Sequence, residues 1–357
     1  MPKVVNTLVT ACCGWPTCGT MDALHASHDI DFHVIGVDCS PNPAALNYVD
    51  ELLQVPRCTE PDYIASLLDI CKAKDVQLLI PLISDEIDVI WDNLECFEQA
   101  GVHVLMSGKN SLIKTANNKL QLSMFLHEHG IDIMPRTIPI TAENAIDAMH
   151  DLGYPDKPVC LKAVDKCGSA GFRIIDDAKA CEAVFALSRK FRTNPYVTAE
   201  HFKANLKNMP YGFVLQEYLP GMEQGTICLV DNGETVYSPS HRNIKMDMST
   251  AVISELVNDE RANEIVRKVN KLLRLDGNIG YDFKEDADGN LRLLEINPRI
   301  SATVSLAQVA GLNLIELGAR HALGLDYDKG IAPDYGIKLM RNYGTLYVKD
   351  GKPYGRG

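Results

Sequence analysis

GYDFKEDADGNLRLLEINPRIS, residues 280–301, decides how this chain is read. Asp282 interrupts an apolar run of Ile279, Tyr281 and Phe283, and Asp288-Gly289 is a turn signal leading into a second apolar run at 291–296. The segment therefore reads as a β-hairpin in which Asp282 faces Glu295. Side chains alternate along a strand, so Asn297, two residues beyond Glu295, projects to the same face. Two carboxylates and an amide oxygen make a hard, all-oxygen site for Mg2+, or for Mn2+ in its place, of the kind shared with nucleotide phosphates. Arg299, next in strand phase, adds a fixed positive charge. The plain alternative is a solvated acidic face with an Arg299–Glu295 salt bridge. Pro298 argues against it, because a proline closing a buried strand makes a rigid exit for Asn297 and Arg299.

Outward from that block, 357 residues are enough for two or three compact units. A composition of 46% hydrophobic and 23% charged residues is ordinary for an α/β enzyme. The formal charge of -12 disfavours non-specific nucleic-acid binding, so acidic substrates must be met by local Lys and Arg. The 11 cysteines are scattered and form no CxxC pair, which points to a reducing cytoplasm. Cys12, Cys13 and Cys18 with His25 and His28 form a cluster whose spacing fits no standard zinc pattern. No apolar run approaches the roughly 18 residues needed to span a membrane, and the first residues do not read as a signal peptide.

The first third alternates strands (4–10, 32–37, 77–81, 102–106) with helical patterns such as 20–28, which implies a parallel, Rossmann-like sheet over residues 1 to about 112. Its first loop, ACCGWPTCGT, lacks G-x-G-x-x-G, so a dinucleotide reading is weak. Asp38 reads as a strand-exit cap ahead of a ribose ligand. Ser84, Asp85 and Glu86 read as a helix start with acidic first-turn residues ahead of a substrate contact. One helix is expected over 111–129, ended by Gly130 and carrying Lys119. Lys162 lies inside the apolar strand 159–163, where an ammonium needs an anion. The loop Gly168-Ser169-Ala170-Gly171 follows, small enough to bring backbone N–H groups against phosphate oxygens. FVLQEYLPG (213–221) is a strand stopped by Pro220-Gly221. Residues 263–273 form a helix burying Ile265, Val269 and Leu272, 305–323 a helix pair broken near Gly311, and 349–352 a hairpin turn. Internal repeats are absent, which excludes a tandem duplicated synthase within these residues.

Taken together, ANNKLQLSMFLHEHGI with MPRT, DKCGSAGFRII, FVLQEYLPG and EINPRIS resemble the ATP-grasp superfamily, particularly its carbamoyl-phosphate-synthase-like branch, over roughly residues 3–325. GVDCSPNPAALNYVDELLQVP and LLIPLISDEIDVI resemble the pre-ATP-grasp domain. The resemblance implies an α/β fold with α+β lobes: a Rossmann-like pre-ATP-grasp domain (1–112), then a two-lobed ATP-grasp domain (113–325), then a C-terminal extension (326–357). The lid lobe would span about 133–215 and the metal-binding lobe about 216–325.

It further implies that Asp282, Glu295 and Asn297 hold Mg2+ ions bridging the ATP phosphates, and that Lys119, Lys162 and the lid loop 168–171 hold the phosphates themselves. Glu217 would accept the adenine amino hydrogen, the Leu219 backbone would meet the ring edge and Glu223 the ribose. Arg299 would steady charge on the group being phosphorylated. Arg242 and His241, in SPSHRNIKMD, fall where relatives line the substrate pocket, Arg242 for a substrate carboxylate and His241 for the amine proton. One departure stands out: relatives carry Glu or Gln at the first metal position, and the shorter Asp282 moves that metal or leaves it more water-ligated.

The implied enzyme is a cytoplasmic ATP-dependent carboxylate–amine ligase. It would act on a small-molecule carboxylate and amine, bind neither nucleic acid nor membrane, and share the family's habit of forming homodimers. Two other readings stay open: a stand-alone carbamoyl-phosphate-synthase-like unit acting on bicarbonate or carbamate, and a non-catalytic ATP-binding regulatory module.

Overall fold

The computed structural model describes residues 3–14, 17–164, 171–180, 195–208, 212–247, 250–341, 346–350 and 352–356. The chain divides into two compact units, one of Met1–Asn117, Glu223–Asp282 and Ile296–Gly357, the other of Asn118–Met222 and Phe283–Glu295.

The first unit opens with β1 (Lys3–Val9), β2 (Ile30–Asp38), β3 (Glu51–Gln54), β4 (Leu78–Ile80) and β5 (His103–Val104), a parallel sheet in the order β3-β2-β1-β4-β5. Its strands are near-continuous apolar runs because both faces are covered. Val5, Val9 and Val34 enter one core, while Leu8, Ile35 and Val37 enter another. β3 escaped the sequence reading, since ELLQ, three half-buried residues and an exposed one, carries no alternation. At the point where strand order reverses, Glu86 sits fully buried, accepting from Thr10 Oγ1 (2.7 Å), Tyr63 Oη (2.5 Å) and the Leu82 and Ile83 backbones (2.9 and 3.0 Å). Burial pushes its carboxyl above the ordinary range.

The second unit holds β6 (Thr137–Ile140), β7 (Val159–Ala163), β8 (Arg173–Ile175), β9 (Tyr196–Val197) and β10 (Phe213–Glu217), in the order β6-β10-β7-β8-β9. Val159, Leu161, Ala163, Phe213 and Leu215 pack on the helices Ala145–Asp151 and Ala199–Asn205. Strand alternation turns Lys162 to the opposite face, beside its partner Val214. The single helix expected at 111–129 is two, Ile113–Asn117 and Lys119–Glu128. Asn118 adopts extended backbone and its side chain caps Gln121 N at 3.0 Å, which makes Lys119 the first residue of the second helix.

The large sheet runs β16-β15-β11-β13-β14-β17, with β12 beside β11. Its strands are β11 (Glu223–Asp231), β12 (Glu234–Tyr237), β13 (Ser240–Asp247), β14 (Thr250–Val257), β15 (Gly277–Glu285), β16 (Leu291–Asn297) and β17 (Lys338–Met340). The hairpin turn at Asp288-Gly289 is present, with Gly289 at φ +80° and the Asp286 carboxylate capping the Asp288 and Asn290 N–H groups. Helix Glu260–Leu273 buries Ala262, Val266, Val269 and Leu273, one residue round from the expected face. The stripe shifts because Asn263 and Asn270 belong to it: Asn270 accepts from Tyr281 Oη at 2.6 Å and donates to Thr235 Oγ1 at 2.8 Å. β17, from the presumed extension, closes the edge of this sheet against β14. β18 (Leu346–Lys349) and β19 (Lys352–Arg356) form the expected hairpin. Among the described residues no helix is long and apolar enough to cross a membrane.

Candidate active site

Asp282 on β15 and Asn297 at the end of β16 meet side by side, with Asn297 Nδ2 donating to Asp282 Oδ2 at 2.9 Å. Asn297 is buried, and its Oδ1 accepts from Arg299 Nη2 at 3.0 Å and Ser84 Oγ at 3.1 Å. Arg299 is folded back on itself: its backbone N–H donates to Asn297 O at 2.7 Å and its Nη1 to Ile300 O at 2.8 Å. Its Nε is buried with no hydrogen-bond partner among the described residues, a donor that an anion would satisfy. The guanidinium thus meets Asn297, where the plain alternative had a salt bridge to Glu295. Asp282 and Asn297 are thus neighbours, and Glu295 lies two residues before Asn297 on β16.

Within the second unit Glu295 pairs with Lys119, Nζ to Oε2 at 2.8 Å. The Lys119 backbone N–H donates to Val164 O at 3.2 Å, which ties the start of that helix to the end of β7 two residues past Lys162. Lys162 Nζ lies 6.0 Å from the Phe172 ring centre. Gly168, Ser169 and Ala170 of the lid loop lie outside the described residues. Gly171 is described: its φ is +72°, and a Cβ there would come 2.8 Å from the Phe213 ring, so glycine is required twice over.

Glu217 ends β10, where its N–H donates to Arg136 O at 3.0 Å, and Leu219 is buried two residues on. Tyr218 between them carries two ammonium groups over its ring, Lys179 at 5.7 Å and Lys284 at 5.8 Å, an arrangement sequence spacing did not disclose. Glu223 is the first residue of β11.

His241 and Arg242 are adjacent on β13, not on a hydrated loop, so they point to opposite faces and do not share one pocket. Arg242 is exposed. His241 is buried, with Nδ1 on Asn243 Oδ1 at 3.0 Å and Nε2 on Thr303 Oγ1 at 2.8 Å. Thr303 in turn meets Ser301 at 3.0 Å. Desolvation lowers the imidazole to about 4, which leaves it neutral and a weak receiver for an amine proton. Gly225 across the sheet makes room for the ring, since a Cβ there would lie 2.4 Å from Nε2.

Asp38 caps Cys13 N at 3.1 Å and Ser40 N at 2.9 Å, as a strand-exit residue. Among the described residues the one metal-capable His/Cys/Asp/Glu group is Asp231, Asp276 and His321, not the cysteine cluster near residue 12. Each of its members already has a protein partner: Lys329 on Asp231 and His321 on Asp276, both at 2.8 Å. Ser84 is the residue sequence reasoning set aside. Its place after a parallel strand was a signal, and the helix-start role falls to Glu86, which reaches back to the Ile83 N–H.

The family model described as "PylC-like, N-terminal domain" matches residues 20–105, and "ATP-grasp in the biosynthetic pathway with Ter operon" matches residues 210–343. The arginine-specific carbamoyl phosphate synthase large chain of Bacillus subtilis (strain 168) is 23% identical over 329 residues, 87% of this chain and 29% of the relative. This chain thus spans less than a third of the length of such curated relatives. Solved structures share the fold: N5-carboxyaminoimidazole synthetase from Staphylococcus aureus complexed with ADP (TM-score 0.65, 15% identity, 92% of this chain and 80% of that one) and an L-amino acid ligase from Bacillus licheniformis (0.63, 14%, 98% and 83%). A Hydrogenobacter thermophilus biotin carboxylase domain dimer in complex with MgADP, ADP and bicarbonate scores 0.62 at 16% identity, over 89% of this chain and 69% of that one. Residues 210–343 thus match an ATP-grasp family model, and the solved structures show a shared fold. The curated relatives it resembles are carbamoyl phosphate synthase large chains, at 23% identity.

Proposed function

We propose that this chain is an ATP-dependent ligase that phosphorylates a carboxylate to an acyl phosphate and joins it to an amine or another nucleophile, releasing ADP and phosphate. The observation that carries the reading is the run of contacts Asp282–Asn297–Arg299, with the Arg299 Nε buried and lacking an acceptor among the described residues. Phosphoryl transfer needs alignment and charge neutralisation more than covalent help, which suits a set made only of acids, an amide, lysines and an arginine. Asp282, Glu295 and Asn297 would hold Mg2+, which supplies charge neutralisation at the phosphates when bound. Lys119 and Lys162 contact the phosphates, Glu217 and Leu219 the adenine, and Glu223 the ribose. Arg299 holds the acceptor anion and the oxyanion that forms as the nucleophile attacks. His241 keeps the turn after Arg299 in place through Thr303 and Ser301 instead of taking the amine proton.

A second reading, phosphorylation of bicarbonate or carbamate, is favoured by the names of the curated relatives. ADP release measured with pools of amino acids, organic acids and bicarbonate separates the two. Release requiring a carboxylate and an amine together supports the ligase, and release with bicarbonate alone supports the second reading. Tight ATP binding with no release under any pool overturns catalysis and leaves a regulatory module.

A further inference from the structure

Asn297 is held the wrong way round for a cation. Its N–H group faces Asp282, at 2.9 Å, and its oxygen is taken by Arg299 at 3.0 Å and Ser84 at 3.1 Å. Chemistry fixes this orientation: a guanidinium only donates and a carboxylate only accepts, so the oxygen must face Arg299 and the nitrogen Asp282. A divalent cation binds the amide oxygen and not the N–H group. A cation that Asp282 and Asn297 share therefore requires the carboxamide to be turned over. Turned, it sets N–H against Arg299, donor against donor. Ser84 alone can serve both positions, because a hydroxyl donates or accepts.

We propose that the Asn297 carboxamide is a two-position switch, with Ser84 as its positioning residue: cation loading turns the amide onto the Ser84 hydroxyl and releases the Arg299 guanidinium toward the acceptor anion. The inference rests on the ATP-site reading above. Two further contacts support it. Ser84 is buried at the start of helix Ser84–Asp92 and anchored there by Asn117, whose Nδ2 donates to Ser84 O and Asp88 Oδ1, both at 3.1 Å. Arg299 in its present place leaves Nε unmatched among the described residues, a donor that an acceptor anion would complete. Coupling is reciprocal, so an anion on Arg299 tightens the cation in return.

The test is calorimetric titration of Mn2+ into the full chain at saturating ADP. Without Ser84 the cation-free amide still has Arg299 on its oxygen, whereas the turned amide has a buried N–H with no acceptor. Ser84→Ala is therefore expected to weaken Mn2+ by about threefold to tenfold, the worth of one buried hydrogen bond. Ser84→Thr keeps the parent affinity. In an Asn297→Asp background there is no N–H to place, and adding Ser84→Ala changes nothing further. Equal weakening in both backgrounds, or none in either, overturns the switch while leaving the ATP site intact. A parent chain that binds no Mn2+ with ADP overturns the site reading itself, and the switch with it.

Discussion

Glu86 and Asn297 are both buried polar residues of one compact unit, and a single helix start serves both, yet they are finished differently. The Glu86 carboxylate has four donors, two of them backbone N–H groups, and nothing around it is left over. Around Asn297 the bonds are made but the set is incomplete, since Arg299 Nε has no acceptor among the described residues and the amide oxygen faces away from Asp282. A closed polar network fixes a core. An open one, beside a carboxylate and a guanidinium, is arranged for a group that arrives.

The contrast gives graded expectations. Glu86→Ala orphans a tyrosine, a threonine and two backbone donors, and should cost about 3–5 kcal/mol in denaturant unfolding. A cost near 1 kcal/mol would mean the two networks are not different in kind. His241 belongs with the closed networks. The unfolded chain takes a proton there near the ordinary 6.5 while the folded chain refuses it down to about 4, so stability is full above that window and falls as pH drops through it. The loss should reach about 3 kcal/mol below the window, and His241→Gln should flatten the pH profile of thermal unfolding between these limits. Asn297→Ala orphans a guanidinium and a serine hydroxyl that already form an incomplete set, and should cost about 1–2 kcal/mol; a loss as large as that of Glu86→Ala would remove the distinction. Asp259, the cap of helix Glu260–Leu273, accepts from the Arg261 N–H at 3.0 Å, and Asp259→Ala should cost about 1 kcal/mol.

The parts legible in the sequence were those with a period or a turn behind them. The parallel strands, the Asp288-Gly289 hairpin and the Asp282, Asn297 and Arg299 grouping all follow from alternation and turn chemistry. Contacts between residues far apart in the chain were not legible. Nothing in LLIPLISDEIDVI says that Ser84 meets an amide 213 positions later. The break at Asn118 was hidden because its neighbours are good helix formers and the interruption is a side-chain cap. The turned face of helix Glu260–Leu273 was hidden because two asparagines are buried in it against a tyrosine and a threonine. His241 was misplaced for the same reason: a polar residue's burial depends on partners that arrive from other elements.

The most direct measurement is the ATP consumption of Glu295→Ala and Asn297→Ala chains, each shown to be folded by its unfolding midpoint, against the parent with the same substrate pools. Loss of turnover by at least about a hundredfold, in chains that remain folded, is the expected result for removing a cation ligand. Folded variants that consume ATP as fast as the parent would contradict it.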